Sequence, residues 1–299
     1  MKNYSQLILR ISCFLMFLGR AYEHIFFNPH YREFFWNPKI MLGIVNSVFG
    51  MSWNQYMTSY EVDNNIQLFI KCIGFLFLGI AIICLFAHRL PKLKEAPILG
   101  LVLLLPTIWF HYYGYWSNIV LLFEFTAQVC LAVLLYLSLR DMPAHKLLNF
   151  ARWAIAITFI AHGLYAMNIV PLPQKFIAMT IKATGWSNAF AREMLFIAGC
   201  LDLLVAIGLF IPRLMKPSLW YIIGWGFLTA FARIYSNFYS YDPINSLHQW
   251  AWQFLIRTPH YSLGILLLIN SKLITQQFRS HFFSLPFSKK LKDEQYKMV

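Results

Sequence analysis

Eight apolar stretches of membrane-crossing character follow one another along the chain, at residues 7–27, 66–86, 98–111, 116–139, 148–170, 189–211, 218–239 and 249–269. A hydrocarbon layer about 30 Å thick is crossed by about 20 apolar residues in helical form. Seven of the runs have that length, and the third is short and continues toward Tyr113. Backbone groups in lipid need partners within the chain, so runs this long are read as helices. The roughly ten-residue alternation of a strand barrel is absent. The sequence therefore predicts an all-α polytopic membrane protein with eight transmembrane helices. Charged residues make up 12% of the chain, about half the share of a soluble domain, which excludes a soluble enzyme, a disordered chain and a disulfide scaffold.

The net charge of +13 would suggest nucleic acid in a soluble protein. Here the basic residues flank the spans, and nucleic acid is not an expected partner; the lipid bilayer is. With the N-terminus on side one, that side holds Lys2, Arg10, Arg89, Lys92, Lys94, Arg140, Lys146, Arg152, Arg213, Lys216, Lys272, Arg279, Lys289, Lys290, Lys292 and Lys297. Side two holds only Arg32, Lys39, Lys175 and Lys182. Sixteen against four places both termini in the cytoplasm, as expected for a multi-pass protein of a plasma membrane or bacterial inner membrane. Lys2 and Arg10 precede the first apolar run, but Arg20, Glu23 and His24 stand where a small-residue cleavage site would be. The run is expected to stay as a span.

Two connections on side two stand out. Residues 28–65 contain an apolar stretch, 39–60, interrupted by Asn46, Asn54 and Gln55, read as an interfacial or re-entrant helix. Residues 171–188 are similar but shorter. The five cysteines, Cys13, Cys72, Cys84, Cys130 and Cys200, all sit in apolar runs without C-x-x-C spacing. They read as small apolar filler, with no metal site expected.

The chain divides near 140–146 into two four-span halves of the same order: span, long outer connection, span, basic inner loop, span, short outer loop, span. Residues 1–140 form the first half and 147–270 the second, with 271–299 a basic cytoplasmic tail. Ungapped registers support the division. Arg10 and Arg20 fall over Arg152 and His162, and residues 74–88 fall over 199–213. Pro97 falls over Pro217, while Thr126 and Gln128 fall over Thr258 and His260. An even span number per half makes the repeats parallel, related by an axis along the membrane normal.

The second half carries Arg152 and His162-Gly163 in its first span, Gly199-Cys-Leu-Asp202 followed by Ala206-Ile-Gly208 in its second, and Arg213 at that span's end. In these features it resembles the DoxX-like family of four-helix membrane proteins, with Asp202 where the family has Glu. The first half departs from the pattern: Arg20-Ala21 stands for His-Gly, and Phe77 for the acid. The resemblance implies a four-helix repeat fold. It also implies an association with thiosulfate:quinone oxidoreductases or thiol-redox enzymes, hence a quinone ligand and a redox partner protein.

Ionisable residues inside the spans carry the functional reading. At 1.5 Å per residue, Arg20, Glu23, His24, His162, Asp202, Arg233, Arg257 and His260 all fall in the outer half or near mid-depth, and the inner halves are almost wholly apolar. A charge at the bilayer centre costs about 2.5–3.5 kcal/mol, so these groups should turn inward and line an outward-opening pocket. Arg20, Glu23 and His24 share one helix face by their i, i+3, i+4 spacing. The plainer alternative is that the same charges join helices through buried pairs. Lys71 and His111 are read as interfacial, Arg192 and Glu193 as flanking their span, and the Trp and Tyr residues near 112–116 and 235–252 as an interfacial belt.

Several chemistries fit such a pocket. His24, His162, His260, Arg233 and Tyr165 could hold a quinone head group. Arg20, Arg233 and Arg257 could bind a phosphate, a sulfur oxyanion or a lipid head group. Haem ligation by His24 with His162 is disfavoured, because the two are not equivalent positions in the repeat. No phosphate-cradling loop, nucleophile elbow or H-E-x-x-H motif occurs, so the sequence leaves open whether the protein is an enzyme. Two functions stand side by side, a quinone-linked oxidoreductase component and a non-catalytic protein that binds a lipid or a partner; a small-solute transporter ranks below both, because the polar path does not cross the inner half.

Overall fold

A computed structural model describes residues 3–114 and 118–276. The start of the fourth apolar run at Trp116 and most of the basic tail lie outside these residues. All regular structure among the described residues is helical.

The long helices are α1 (Asn3–Phe26), α5 (Tyr60–Phe86), α6 (Ala96–Gly114), α9 (Ala144–Ala166), α11 (Asn188–Gly208) and α12 (Met215–Tyr235). The fourth and eighth apolar runs are each two helices in tandem: α7 (Ile119–Glu124) with α8 (Thr126–Ser138), and α13 (Pro243–Leu255) with α14 (Thr258–Ile269). Three short helices, α2 (Tyr31–Phe35), α3 (Pro38–Ser47) and α4 (Trp53–Thr58), occupy the connection after α1, and α10 (Gln174–Thr184) occupies the connection after α9. The stretch read as one interfacial helix at 39–60 is thus α3 and α4, separated at Gly50, whose φ is +63°. Asn37 caps α3 by accepting from the Lys39 amide, and Ser52 with Gln55 forms a capping box on α4.

Four segments are long and apolar enough to cross a membrane: Tyr60–Phe86, Pro91–Tyr113, Ile119–Ser138 and Ala144–Ala166. By length and composition they mark a membrane protein. The bundle's surface agrees. Leu68, Phe75, Leu76, Leu99, Val102, Phe196, Leu204, Ile207 and Leu228 are all more than half exposed or nearly so, and such a surface is stable only against lipid or protein. The helices α1, α11 and α12 are of similar length but carry charge, Arg10, Arg20 and Glu23 on α1 and Asp202 on α11 among it.

The packing pairs α1 with α5 and α9 with α11, α6 with α8 and α12 with α14, and α8 with α9 and α14 with α1; α8 and α14 also meet. Helices α1 and α5 run antiparallel. Arg10 Nε donates to the Leu85 carbonyl at one end of α1 and α5 (2.9 Å), while His24 and Ile25 lie against Gly74 at the other. Two glycines set these closest approaches. A Cβ on Gly74 would stand 2.7 Å from Ile25 Cγ1 and 3.1 Å from its amide nitrogen. A Cβ on Gly199 would stand 2.7 Å from Met167 Cγ and 2.9 Å from its amide nitrogen. The core between the helices is apolar and tightly filled, with Cys13, Phe17, Phe77, Leu131, Leu134, Leu135, Ile155, Leu263 and Leu267 essentially inaccessible.

Candidate functional site

Both broken helices resume at the same kind of place. The α8 helix starts at Thr126 after a one-residue interruption at Phe125, and α14 starts at Thr258 after Arg257. A break inside a bundle frees first-turn amides that need partners. On α8 the Ala127 amide donates to Thr158 Oγ1 on α9 at 3.0 Å. On α14 Pro259 has no amide hydrogen to satisfy, and the His260 amide returns to the Arg257 carbonyl at 3.0 Å.

Where the helices part, a cavity of about 470 Å³ opens at the end of the bundle away from the N-terminus. Its wall includes Arg20 and Glu23 from α1, His111 from α6, Glu124, Phe125 and Gln128 around the first break, and His162 from α9. Arg233 of α12 and Gln253, Arg257 and His260 around the second break complete it. Lys175 and Lys182 of α10, His30 and the indoles of Trp250 and Trp252 also line it.

Arg20 is held on two sides. Nη1 pairs with Glu23 Oε2 at 2.7 Å, Nη2 donates to Gln128 Oε1 at 2.8 Å, and the guanidinium lies 5.6 Å from the centre of the Phe125 ring. Facing it, His162 and His260 meet Nε2 to Nε2 at 3.1 Å. His162 Nδ1 lies 3.4 Å from Glu124 Oε1, and His260 Nδ1 donates to the Arg257 carbonyl at 3.1 Å.

Arg233 and Arg257 are placed differently. Arg233 Nη1 has only a 3.5 Å contact to Gln253 Oε1, and its Nε is buried without a hydrogen-bond partner. Arg257 Nη1 donates to the Gln253 carbonyl at 3.3 Å. Among the described residues, neither guanidinium lies within ion-pair distance of a carboxylate. Five cationic side chains line the cavity, Arg20, Lys175, Lys182, Arg233 and Arg257, against two carboxylates, Glu23 and Glu124. Lys182 Nζ donates to Asn237 Oδ1 at 3.2 Å. The arrangement favours an anion, because guanidinium groups in a partly desolvated pocket offer strong, directional donors to oxyanions.

Of the residues singled out from sequence, Arg20, Glu23, His162, Arg233, Arg257 and His260 share this cavity. His24 does not. Its Nδ1 donates to the Arg20 carbonyl at 2.7 Å, Nε2 is 3.5 Å from Thr107 Oγ1, and its ring packs edge-on against Tyr31 and Phe77. A ring held there does not face His162. Asp202 sits beyond the cavity wall. It accepts from Tyr221 Oη at 3.0 Å and borders a side pocket of about 70 Å³. His162, Arg233, Arg257 and His260 separate that pocket from the main cavity. Tyr165 packs with Val120 and Ala161 rather than facing the cavity.

Sequence reasoning missed Gln128 and Gln253, whose neutral amides carry no charge signal inside an apolar run. It treated Lys175 and Lys182 as flanking charges, yet α10 folds over the cavity and brings both into its wall. Among the described residues, no group of three or more His, Cys, Asp or Glu is placed to hold a metal ion. The chain matches no family model, no curated protein and no solved structure.

Proposed function

We propose that this is an eight-span membrane protein built from two parallel four-helix repeats, and that the cavity between the repeats binds an anion. The anion is a phosphate, a sulfur oxyanion or the head group of an anionic lipid. One observation carries the ligand class: among the described residues, Arg233 and Arg257 converge on the cavity with no carboxylate in ion-pair range, and Arg233 leaves a buried Nε unpaired. A buried cation without a counter-charge is costly, and an anionic ligand offsets that cost.

Supporting the repeat reading, the main pairings of long helices in the first half have counterparts in the second: α1 with α5 and α9 with α11, α6 with α8 and α12 with α14, α8 with α9 and α14 with α1. The halves also touch matched glycines, Gly74 against Ile25 and Gly199 against Met167. The resemblance of the second half to the DoxX-like family is consistent with this organisation. The basic-residue bias supports cytoplasmic termini in a plasma or bacterial inner membrane, with the cavity on the outer side. Cysteines introduced at Lys92 and at Lys182 should then be labelled by a membrane-impermeant reagent from opposite faces. Labelling of both from one face excludes the eight-span arrangement.

The ligand test is calorimetric titration of the detergent-purified protein with sulfate, phosphate and a short-chain phosphatidylglycerol. Binding of at least one of them, lost in Arg233→Ala and Arg257→Ala variants that still insert, supports the reading. Failure of all three to bind removes it.

A second reading, a quinone-linked subunit of a redox complex, is favoured by the imidazole pair of His162 and His260 beside Phe125 and Trp252 in the same cavity. A quinone head group is neutral, so its retention would survive high salt and loss of Arg233, whereas retention of an anion would not.

A further inference from the structure

We propose that Glu124, His162 and His260 form a binding site for one exchangeable proton, and that an anion held at Arg233 and Arg257 enters together with that proton. The inference rests on the anion reading above and concerns how that site is regulated.

Three contacts in series define the site. Glu124 Oε1 lies 3.4 Å from His162 Nδ1, His162 Nε2 lies 3.1 Å from His260 Nε2, and His260 Nδ1 lies 3.1 Å from the Arg257 carbonyl. A carbonyl only accepts, so His260 Nδ1 carries a hydrogen. Two facing ring nitrogens need one hydrogen between them. A ring nitrogen facing a carboxyl oxygen needs one as well, or two lone pairs oppose each other. The three contacts therefore require three hydrogens, whereas two neutral imidazoles supply two. The third is an added proton, which makes the trio neutral overall, either as a carboxylate with one imidazolium or as a carboxylic acid with two neutral rings. Without it the trio carries one negative charge and one contact is frustrated.

The groups around the trio decide when that proton is held. Arg233 comes from α12, Arg257 from the turn before α14, Lys175 and Lys182 from α10, and Arg20 with Glu23 from α1; His111 approaches from α6, Tyr165 lies on α9, and Asp202 of α11 shares the side pocket with His162 and His260. Positive charge dominates this set and opposes an added proton while the cavity is empty. An anion on the two arginines cancels that opposition. By linkage each ligand then favours the other: the anion raises proton occupancy, and acid raises anion affinity by the same factor.

The test uses the full chain in detergent and sulfate as the probe, because sulfate keeps its charge through the neutral range and any proton taken up belongs to the protein. Calorimetry in buffers of different ionisation enthalpy should give close to one proton taken up per sulfate. The dissociation constant should weaken about tenfold per pH unit once the empty site has lost its proton. The Glu124→Gln variant should bind sulfate with no proton uptake and no such slope. Short-chain phosphatidylglycerol, also of fixed charge, serves as a second probe; tighter binding of the lipid than of sulfate assigns the anion to a head group, with the same proton count expected. Sulfate or lipid binding with no proton uptake between about pH 5 and pH 9 overturns the coupling and leaves the anion reading intact. Failure of both probes to bind overturns this proposal, and failure of phosphate as well overturns the anion reading with it.

A readout on the unmutated protein guards against misfolding of the variant. Saturating sulfate should produce either a doubly protonated ring in nitrogen-15 histidine spectra or a protonated-carboxyl band in infrared difference spectra. Finding neither overturns the proposal.

Discussion

His162 and His260 face each other through their Nε2 atoms at 3.1 Å, and Arg20 reaches Gln128 at 2.8 Å. The sequence registers pair Arg20 with His162 and Gln128 with His260. On the duplication reading, one inter-helix contact has been kept in both halves while its chemistry diverged, into a charge-assisted hydrogen bond on one side and an imidazole pair on the other. Both contacts lie on the wall of the same cavity.

The Arg20 contact should be sensitive to loss of its acceptor. Arg20 is almost fully buried and its Nε already lacks a partner. Replacing Gln128 by Leu removes a second bond from a buried cation, an expected cost of about 1.5–3 kcal/mol. Thermal unfolding in detergent reads this as a lower midpoint; an unchanged midpoint would mean that the guanidinium finds another acceptor.

Replacing Arg233 by Gln should do the opposite to the empty protein. It removes a buried charge that has no carboxylate partner, so the midpoint of ligand-free protein should rise by a few degrees. Adding sulfate should then no longer stabilise the variant, although it stabilises the unmutated chain by mass action. A midpoint that falls without ligand would show that Arg233 serves a structural pairing instead.

Thr158 holds the first helix break together. Its hydroxyl accepts from the Ala127 amide and donates to the Ala154 carbonyl, both at 3.0 Å, in a fully buried position. Thr158→Val keeps the shape but leaves the first free amide of α8 without an acceptor, which should cost about 1–3 kcal/mol. Hydrogen exchange at the Ala127 amide should quicken in step with the lost stability.

The close helix approaches predict a contrast among glycines. At Gly199 an added methyl would meet the Gly163 carbonyl oxygen at 2.8 Å and the Met167 amide at 2.9 Å, and backbone cannot yield cheaply. Gly199→Ala should cost about 1–3 kcal/mol. At Gly79 nothing lies within 4 Å, so Gly79→Ala should be neutral or stabilising by about 0.5–1 kcal/mol through helix propensity. Parallel melting curves of the two variants decide the point.

Hydropathy located every long helix, because each coincides with an extended apolar run. It could not locate the breaks at Phe125 and Arg257, since an interruption of the helix leaves the hydropathy of the run unchanged. The second break carried a signal in Pro259, which favours the start of a helix and biases the preceding residue away from one. The first break has no such residue; Thr158 supplies what it needs from another helix, and tertiary contact is invisible to local pattern. The cavity was legible through Arg20, His162, Arg233 and His260 because charge at that depth must turn inward. His24 followed the same rule yet turned to Thr107 and a backbone carbonyl, satisfying its polarity within the helix packing. Gln128 entered the repeat register but was not read as a cavity residue, because an amide barely alters the hydropathy of its run.

From Gln128 to Ser138, helix α8 continues for about 15 Å beyond the cavity. Leu131, Leu134 and Leu135 there pack with Cys13, Phe17 and Ile155, all with no exposure at all. Such a plug floors the vestibule: beneath its polar wall the bundle is packed leucine. A guest of the kind proposed would meet that floor below it, and its residence would then be timed by release from the arginines.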